Sequence, residues 1–307
     1  MRIGKRVTRM FRWLCALAFA AALTPVFAQV NKPEVAMIPA NPAMWTVHGP
    51  KGTAYLLGSI HLLPSNIAWQ TPRISAALKA ADTFVFEIPL DASTQTEAAA
   101  FIQKNGTLPE GTTLPSLLDA KARADYDDAI KIAHIDAALL ENKRPWLAMI
   151  VLDLATITQQ NLSSTSGIDQ QVYAISQTEG GKSYRAFETP EQQFELFMPK
   201  NQKLEIEEFD VGLKEFRSDK LNMGGLIDAW SHSDQKALQH ITNDGFKGHA
   251  DVEKALLTDR NKNWVGQLQK MLAEPHTYFI TVGAGHLLGP KGVPALLRAK
   301  GFSVTGP

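Results

Sequence analysis

The sequence has little cysteine and lacks several common catalytic motifs. It contains one cysteine, Cys15, among 307 residues. Cys15 falls within a predicted leader, so the mature chain would have no disulfide, thiolate nucleophile or cysteine metal ligand. HExxH, GxSxG and GxxxxGK[ST] are all missing, and without them the usual zincin, serine-hydrolase and P-loop functions have no support. Ser59 is the remaining candidate for a serine nucleophile, but the sequence shows no pattern of a general base and an acid that would activate it.

Long apolar runs are also missing beyond the N-terminal segment. That segment has the pattern of a secretory signal peptide, with a basic region followed by the apolar run 13–23. The run is short for a membrane span. Val26 and Ala28 then supply small residues at the positions that a signal peptidase recognises before the cleavage site. We predict cleavage after Ala28, export to the periplasm or medium, and no integral membrane segment in the mature chain. The alternative is an N-terminal membrane anchor.

Neither sign of charge dominates the chain. It has 31 basic and 31 acidic residues, and the leader removes only basic ones, so the mature chain is mildly acidic. Such a chain has no electrostatic reason to bind nucleic acid or an anionic membrane. With 45% hydrophobic and 20% charged residues, we predict a globular protein with a substantial core.

The most distinctive feature is a GxxHLL segment that occurs twice. "YLLGSIHLLP" contains His61, and "FITVGAGHLLGP" contains His286. In each, an apolar run ends in glycine and the histidine follows three residues later. Each apolar run predicts a buried strand, so each histidine would lie just past the carboxyl end of a strand.

The order of apolar and amphipathic segments predicts an α/β (α+β) fold. A central mixed β-sheet would carry the two GxxH loops, flanked by helices with a large helical insert. We expect a linker at 29–43 and one domain at 44–307, with helical inserts at about 95–165 and 195–274. Helix starts are predicted at Thr71-Pro72 and at Thr189-Pro190-Glu191-Gln192, the latter a capping box. The predicted strands are "MWTVHG", "TAYLLGSI", "TFVFEIPL", "KSYRAFE", "HTYFITVGAG" and "GFSVTG".

Two histidines at one sheet edge, joined by a carboxylate, could hold a divalent metal. Three protein ligands with an open position for water are typical of hydrolytic metal sites. Glu87 is the candidate carboxylate, because an ionised group inside "FVFEIPL" is costly unless it is paired or bound to a cation. The residues predicted to let the backbone approach a substrate are Gly58, Ser59, Gly283 and Gly285.

Other interpretations compete with the metal site. Either histidine alone could be a cap or core residue, and Glu87 could face water on an edge strand. Gly283–Gly289 also resembles a glycine-rich dinucleotide turn. In a dinucleotide-binding fold, the acidic residue that binds the ribose lies at the end of the next strand. Too few residues follow Gly289 to place an acidic residue at that distance.

These motifs resemble the TraB/GumN family, which is related to the animal Tiki proteins. The similarity runs from "YLLGSIHLLP" to "VGAGHLLGPKGVPALLRAKGFSV". It implies a sheet with two GxxH motifs and metal-dependent proteolysis, with manganese or cobalt as the ion. Imidazole and carboxylate ligands would also suit zinc or iron.

The resemblance also implies roles for single residues. His61 and His286 match the motif histidines, and Glu87 matches an acidic residue after the second core strand. Glu188 would be a further ligand or a general base. Arg260 and Asn261 match an Arg-Asn pair, in which the arginine would stabilise negative charge. The family-like Gly167-Ile168-Asp169 is explained equally well by helix capping through Asp169.

The expected function is that of an exported metal-dependent hydrolase acting on peptide or other acyl bonds. Its partner would be a peptide or small-molecule substrate. The alternative is a non-catalytic periplasmic protein of the same fold that binds a metal, haem or a peptide. A third interpretation is a degenerate member of the fold that serves only as an interaction module.

Overall fold

The computed structural model of the chain describes residues 36–178, 180–196, 198–199, 201–218 and 223–307. The predicted signal peptide and the start of the predicted linker lie outside the described residues. Ile38–Pro39, near the end of that linker, form a short strand paired with Ile67–Ala68. This pairing ties the start of the described chain to the loop that follows His61.

A six-stranded mixed sheet forms the centre of the fold, as the sequence predicts. We number the strands in chain order as β1 (Ile38–Pro39), β2 (Met44–His48), β3 (Thr53–Ser59), β4 (Ile67–Ala68), β5 (Thr83–Phe86), β6 (Ser183–Ala186), β7 (Thr277–Gly283) and β8 (Ser303–Thr305). The strand order in the large sheet is β6-β5-β7-β3-β2-β8. Strands β6, β5, β7 and β3 are parallel, while β2 is antiparallel to both β3 and β8.

Strand β7 lies between β3 and β5 and joins the two ends of the sequence. Its residues Tyr278 to Val282 are all buried, as expected for a parallel strand covered on both faces. The register pairs Ser59 with Gly283. Because neighbouring parallel strands end at the same edge, the two GxxH loops emerge side by side.

Helices cover both faces of the sheet and form the inserts. Their bounds are α1 (Pro72–Ala80), α2 (Ala92–Gly106), α3 (Ala120–Ala133), α4 (Pro145–Thr158), α5 (Ile168–Thr178), α6 (Pro190–Glu195), α7 (Gln202–Ser218), α8 (Met223–Ser231), α9 (Gln235–Gly245), α10 (Ala250–Glu253), α11 (Asp259–Met271) and α12 (Val293–Ala299). A π-helical turn, Lys254–Thr258, leads directly into α11. Among the described residues, no helix has both the length and the apolar character needed to cross a bilayer.

Both predicted helix starts are confirmed. The side chain of Thr71 accepts a hydrogen bond from the Ile74 amide, and Pro72 is the first residue of α1. Thr189 and Gln192 form a reciprocal capping box at the start of α6. Each cap satisfies backbone donors that the first turn of a helix leaves unpaired.

The helical insert has a core of its own, which contains Tyr126, Leu152 and Phe209. Beside it, the buried Glu205 pairs with Arg144 at 2.6 Å between Oε2 and Nη2. Glu208, one turn further along α7, has no such cation among the described residues. Burial raises the pKa of Glu208 to about 7, and the charges of Glu205 and Glu207 add to the effect.

Replacing Glu208 with glutamine should stabilise the protein at pH 8 and leave its stability unchanged near pH 4. The folded-state pKa lies above the ordinary value of 4.5, so ionisation of Glu208 costs stability as the pH rises from about 4.5 to about 7. Glutamine cannot ionise, and we expect a gain of about 1–3 kcal/mol above pH 7. Urea unfolding at the two pH values measures the gain. The exposed Glu110→Gln is the control, and an equal effect of Glu208→Gln at both pH values would contradict the prediction.

Candidate functional site

His61, Glu87 and His286 meet at the carboxyl edge of the sheet. They follow the adjacent strands β3, β5 and β7, and His286 lies in the 3-10 turn Ala284–Leu287. Gly283 lies among them: a Cβ on this residue would be 3.2 Å from Oε1 of Glu87 and 3.9 Å from Nε2 of His61. Oε1 of Glu87 is 4.0 Å from Nε2 of His286. The three predicted metal ligands therefore face one small region.

The two glutamates leave the sheet side by side. Strand β5 ends at Phe86, so Glu87 is the first residue after the strand and not part of it. Strand β6 ends at Ala186, and the amide of Glu188 donates to the carbonyl of Glu87 at 2.9 Å. Beyond the sheet edge the carboxylate of Glu87 lies 4.0 Å from His286, whereas that of Glu188 accepts hydrogen bonds from Arg260 and Trp264.

Glu87 accepts hydrogen bonds on both of its oxygens. Oε1 accepts from the Gly283 amide at 2.6 Å, while Oε2 accepts from Nη2 of Arg260 at 2.6 Å and from Nε2 of Gln193 at 3.0 Å. Burial alone would raise the pKa of Glu87. The positive charge of Arg260, the nearby histidines and the Gly283 amide outweigh it and lower the pKa to about 2. Glu87 is therefore a carboxylate at neutral pH.

Asp169 orients the ring of His61. Nδ1 of His61 lies 2.8 Å from Oδ1 of Asp169 and 3.5 Å from Oγ of Ser59. Burial lowers the pKa of His61, but the charge and hydrogen bond of Asp169, with help from Glu87, raise it to about 9. None of the described residues forms a hydrogen bond to Nε2 of His61. The ring thus presents Nε2 to the site and Nδ1 to its carboxylate partner.

Gly167 makes the contact between Asp169 and His61 sterically possible. A Cβ on Gly167 would lie 2.3 Å from the carbonyl oxygen of His61, which is closer than any packed carbon can be. The amide of Ile168 donates to the carbonyl of Ile60 at 3.1 Å, so the start of α5 lies directly against the first GxxH loop. Only glycine permits this approach, which places Asp169 beside His61.

Asn261 orients the ring of His286 in the same manner. Its Nδ2 donates to the carbonyl of Lys291 at 2.9 Å, so Oδ1 faces Nδ1 of His286 at 2.6 Å. Nδ1 must therefore carry the proton, and Nε2 keeps its lone pair. Burial and the charge of Arg260 lower the pKa of His286 to about 3, so the ring is neutral.

Arg260 fills the space between Glu87, Glu188 and His286. Nε and Nη2 donate to Glu188 at 2.8 Å each, and Nη2 also donates to Glu87. Nη1 donates to the carbonyl of Leu256 at 3.1 Å and to Nε2 of His286 at 3.0 Å. A guanidinium has five N–H donors, and all five have partners within the chain. An oxyanion could take one of them only by displacing a partner.

Glu188 and Trp264 hold Arg260 in place. Oε1 of Glu188 accepts from Nε1 of Trp264 at 2.8 Å and also from Arg260. The Trp264 ring lies 4.2 Å from the His286 ring, centroid to centroid, and the guanidinium carbon of Arg260 is 4.8 Å from its centroid. Arg260, Asn261 and Trp264 all project from the first turns of α11.

The four predicted substrate-binding residues occupy different surroundings. Gly283 lies among the proposed metal ligands, and its amide donates a hydrogen bond to Oε1 of Glu87. Gly58 packs against Ala284, and its carbonyl accepts from Nε1 of Trp230 at 2.7 Å. Ser59 is buried beside His61. A Cβ on Gly285 would meet only side-chain methyl groups, of Leu257 and Thr242.

Three residues of the site were not assigned there from the sequence: Asp169, Gln193 and Trp264. The sequence reasoning explained Asp169 as a helix cap, although its place in the family-like Gly167-Ile168-Asp169 could have indicated more. Trp264 follows Arg260 by four residues and therefore shares its face of α11. Nothing in the sequence marks Gln193, which reaches Glu87 from the start of α6.

The donor set fits a divalent metal in its chemistry. Each histidine has its Nδ1 bonded to an oxygen and its Nε2 turned to the site, which is the usual arrangement of metal-binding histidines. Glu87 supplies a carboxylate oxygen 4.0 Å from Nε2 of His286. Within the described residues, however, no three histidine, cysteine, aspartate or glutamate side chains are already placed around one ion position. Arg260 bonds two of the three proposed ligands, Glu87 and His286.

The fold and the site define a class of α/β proteins in which paired GxxH loops, a glutamate and an arginine share one sheet edge. The chain belongs to the TraB/PrgY/gumN family, whose profile matches residues 43–306. This confirms the resemblance seen in the sequence.

Two relatives extend this result. The chain is 24% identical to a zebrafish (Danio rerio) protein named Metalloprotease TIKI2, over 90% of this chain and 62% of that protein. It is 20% identical to an uncharacterized protein of Treponema pallidum (strain Nichols), over 83% of this chain and 80% of that protein. The chain thus spans less than two thirds of the zebrafish protein. No solved structure matches it.

Proposed function

We propose that the protein is an exported hydrolase of peptide or other acyl bonds that uses a divalent metal. The observation that carries the proposal is the pair of histidines anchored through Nδ1, by Asp169 and by Asn261, at the same sheet edge as Glu87. Histidines that only filled space in the core would not need this anchoring, which leaves the Nε2 atom of each ring on the side of the site. The name of the zebrafish relative supports proteolysis and metal dependence.

His61, Glu87 and His286 would hold the ion, whose chemistry when bound is to polarise a carbonyl and activate water. Manganese or cobalt is the first choice, and zinc or iron would suit the same ligands. The ionised state of Glu87 and the neutral state of His286 are those that metal ligands require.

The remaining site residues position these groups. Asp169 holds Nδ1 of His61 and so turns Nε2 to the site. Asn261 does the same for His286. Because the pKa of His61 is raised to about 9, an ion that binds Nε2 of His61 near neutral pH must displace a proton from it. Glu188 and Trp264 hold Arg260, whose charge lies next to Glu87. Because both oxygens of Glu188 already accept hydrogen bonds, we assign it a positioning role in place of a general base.

The experiment compares the wild type with His61→Ala/His286→Ala after dialysis against manganese, cobalt or zinc. Metal content is measured by elemental analysis, and hydrolysis with quenched fluorogenic peptides and p-nitrophenyl esters. We expect metal and turnover in the wild type and neither in the double variant. His232→Ala/His240→Ala is the matched control, because it removes two exposed histidines, one in the turn after α8 and one in α9.

Two results would contradict the proposal. Equal, negligible metal in all three proteins would exclude the metal centre. Metal bound by the wild type without turnover of any substrate would favour the non-catalytic binding protein.

A further inference from the structure

We propose that Arg260 and a divalent metal exclude each other at His286. The centre would then have two states, one closed by arginine and one loaded with metal, and Arg260 would set how readily the ion enters. This inference rests on the proposed metal centre but concerns a regulation of it that the proposal alone does not require.

His286 has a single nitrogen to offer. Asn261 takes the proton on Nδ1, because the amide of Asn261 is itself oriented by the carbonyl of Lys291. Only the lone pair on Nε2 remains, and Nη1 of Arg260 donates to it at 3.0 Å. One in-plane lone pair cannot bind an ion and accept this hydrogen bond together.

The same guanidinium also holds the second ligand. Nη2 donates to Oε2 of Glu87 at 2.6 Å, in an ion pair that is about nine-tenths buried on both sides. Arg260 therefore neutralises the charge that would otherwise attract a cation. His61 is different, because Arg260 does not bond it: its Nδ1 bonds Asp169, and no described residue bonds its Nε2. An ion could first meet His61 and would reach His286 only after Nη1 had left.

The surroundings of Arg260 allow a partial release. Nε and Nη2 are held by Glu188, while the Nη1 group is held by His286 and by the carbonyl of Leu256. Leu256 belongs to the π-helical turn Lys254–Thr258, an irregular geometry that is often found at functional sites. Nη1 can leave His286 while the charge-assisted bonds to Glu188 keep the side chain in the site.

Cobalt titration of the metal-free protein tests the exclusion, followed by visible absorption and calorimetry. The variant is Arg260→Lys, which keeps the positive charge beside Glu87 and Glu188. Its single ammonium cannot bond Glu87, Glu188, Leu256 and His286 together, as the guanidinium does. We expect it to bind cobalt about 10- to 100-fold more tightly than the wild type, the size of one charge-assisted hydrogen bond. Glu188→Gln, which loosens Arg260 without touching His286, should give a smaller gain.

The gain must depend on His286. In a His286→Ala background, Arg260→Lys should no longer improve cobalt affinity, whereas the surface variant Arg185→Lys should have no effect in either background. Equal or weaker binding by both Arg260→Lys and Glu188→Gln would overturn the exclusion while leaving the metal centre intact. A gain that persists without His286 would also overturn it. No cobalt binding by any variant would overturn the metal centre, and the exclusion with it.

Discussion

Replacing His61 with glutamine is expected to lower the rate of hydrolysis by about 10²- to 10⁴-fold, because the ion loses one of its three proposed ligands and with it part of the charge stabilisation that it supplies. Glutamine can still bond Asp169 but has no second nitrogen to turn to the site. Nε2 of His61 is the nitrogen that no described residue occupies, so the proposed chemistry depends on it most. The measurement is kcat and KM of the metal-loaded variant on the substrate that the wild type hydrolyses best.

The control for His61→Gln is His276→Gln. His276 also pairs with an aspartate, Asp82, at 3.1 Å, but it lies before β7, at the opposite end of that strand from Gly283. Its replacement should leave the rate nearly unchanged. A His61→Gln protein that unfolds at the wild-type temperature and retains activity would show that His61 is not part of the reaction.

Replacing Gly167 with alanine should have the largest effect on stability. The new Cβ would lie 2.3 Å from the carbonyl oxygen of His61, and both groups belong to backbone that cannot rotate away. The start of α5 would have to move away from the first GxxH loop. This movement would lengthen the hydrogen bond from the Ile168 amide to the Ile60 carbonyl. We expect a loss of about 2–4 kcal/mol in the free energy of unfolding, at the upper end for overpacking.

Chemical unfolding measures this loss, and Gly266→Ala is the matched control. Gly266 lies inside α11, and a Cβ there would meet nothing within 4 Å. The same substitution should therefore stabilise the protein by about 0.5–1 kcal/mol. Because Asp169 moves with the start of α5, Gly167→Ala should also reduce activity at temperatures where it is folded. Equal effects of the two substitutions would contradict the close contact described here.

The sequence predicted the parts of the fold whose causes are local. Thr71-Pro72 and the Thr189–Gln192 box start helices because the caps and donors lie within one turn. The GxxH repeat placed His61 and His286 just past strand ends. The structure adds that β3 and β7 are neighbours and parallel, which brings the two loops to one edge. Glu87 was found because a carboxylate in an apolar segment needs a partner.

The rest of the site depends on contacts that no local pattern encodes. Asp169 reaches His61 only because α5 lies against the first GxxH loop, and a helix-capping aspartate has the same sequence context. Gln193 bonds Glu87 across 106 residues of chain. For Arg260, the sequence indicated a cation near the centre, but the number of its partners could be counted only once Glu188, Leu256 and His286 were placed around it.

The position of β7 between β3 and β5 also governs the order in which the protein can assemble. Glu87 and Gly283, which share a hydrogen bond, are 196 residues apart in the chain. Contacts of such long sequence separation slow folding, because a large loop must close before they form. Until β7 is available, β3 and β5 lack the strand that joins them. A chain that lacks its last strands therefore cannot build the centre, and docking of β7 is the step that permits it.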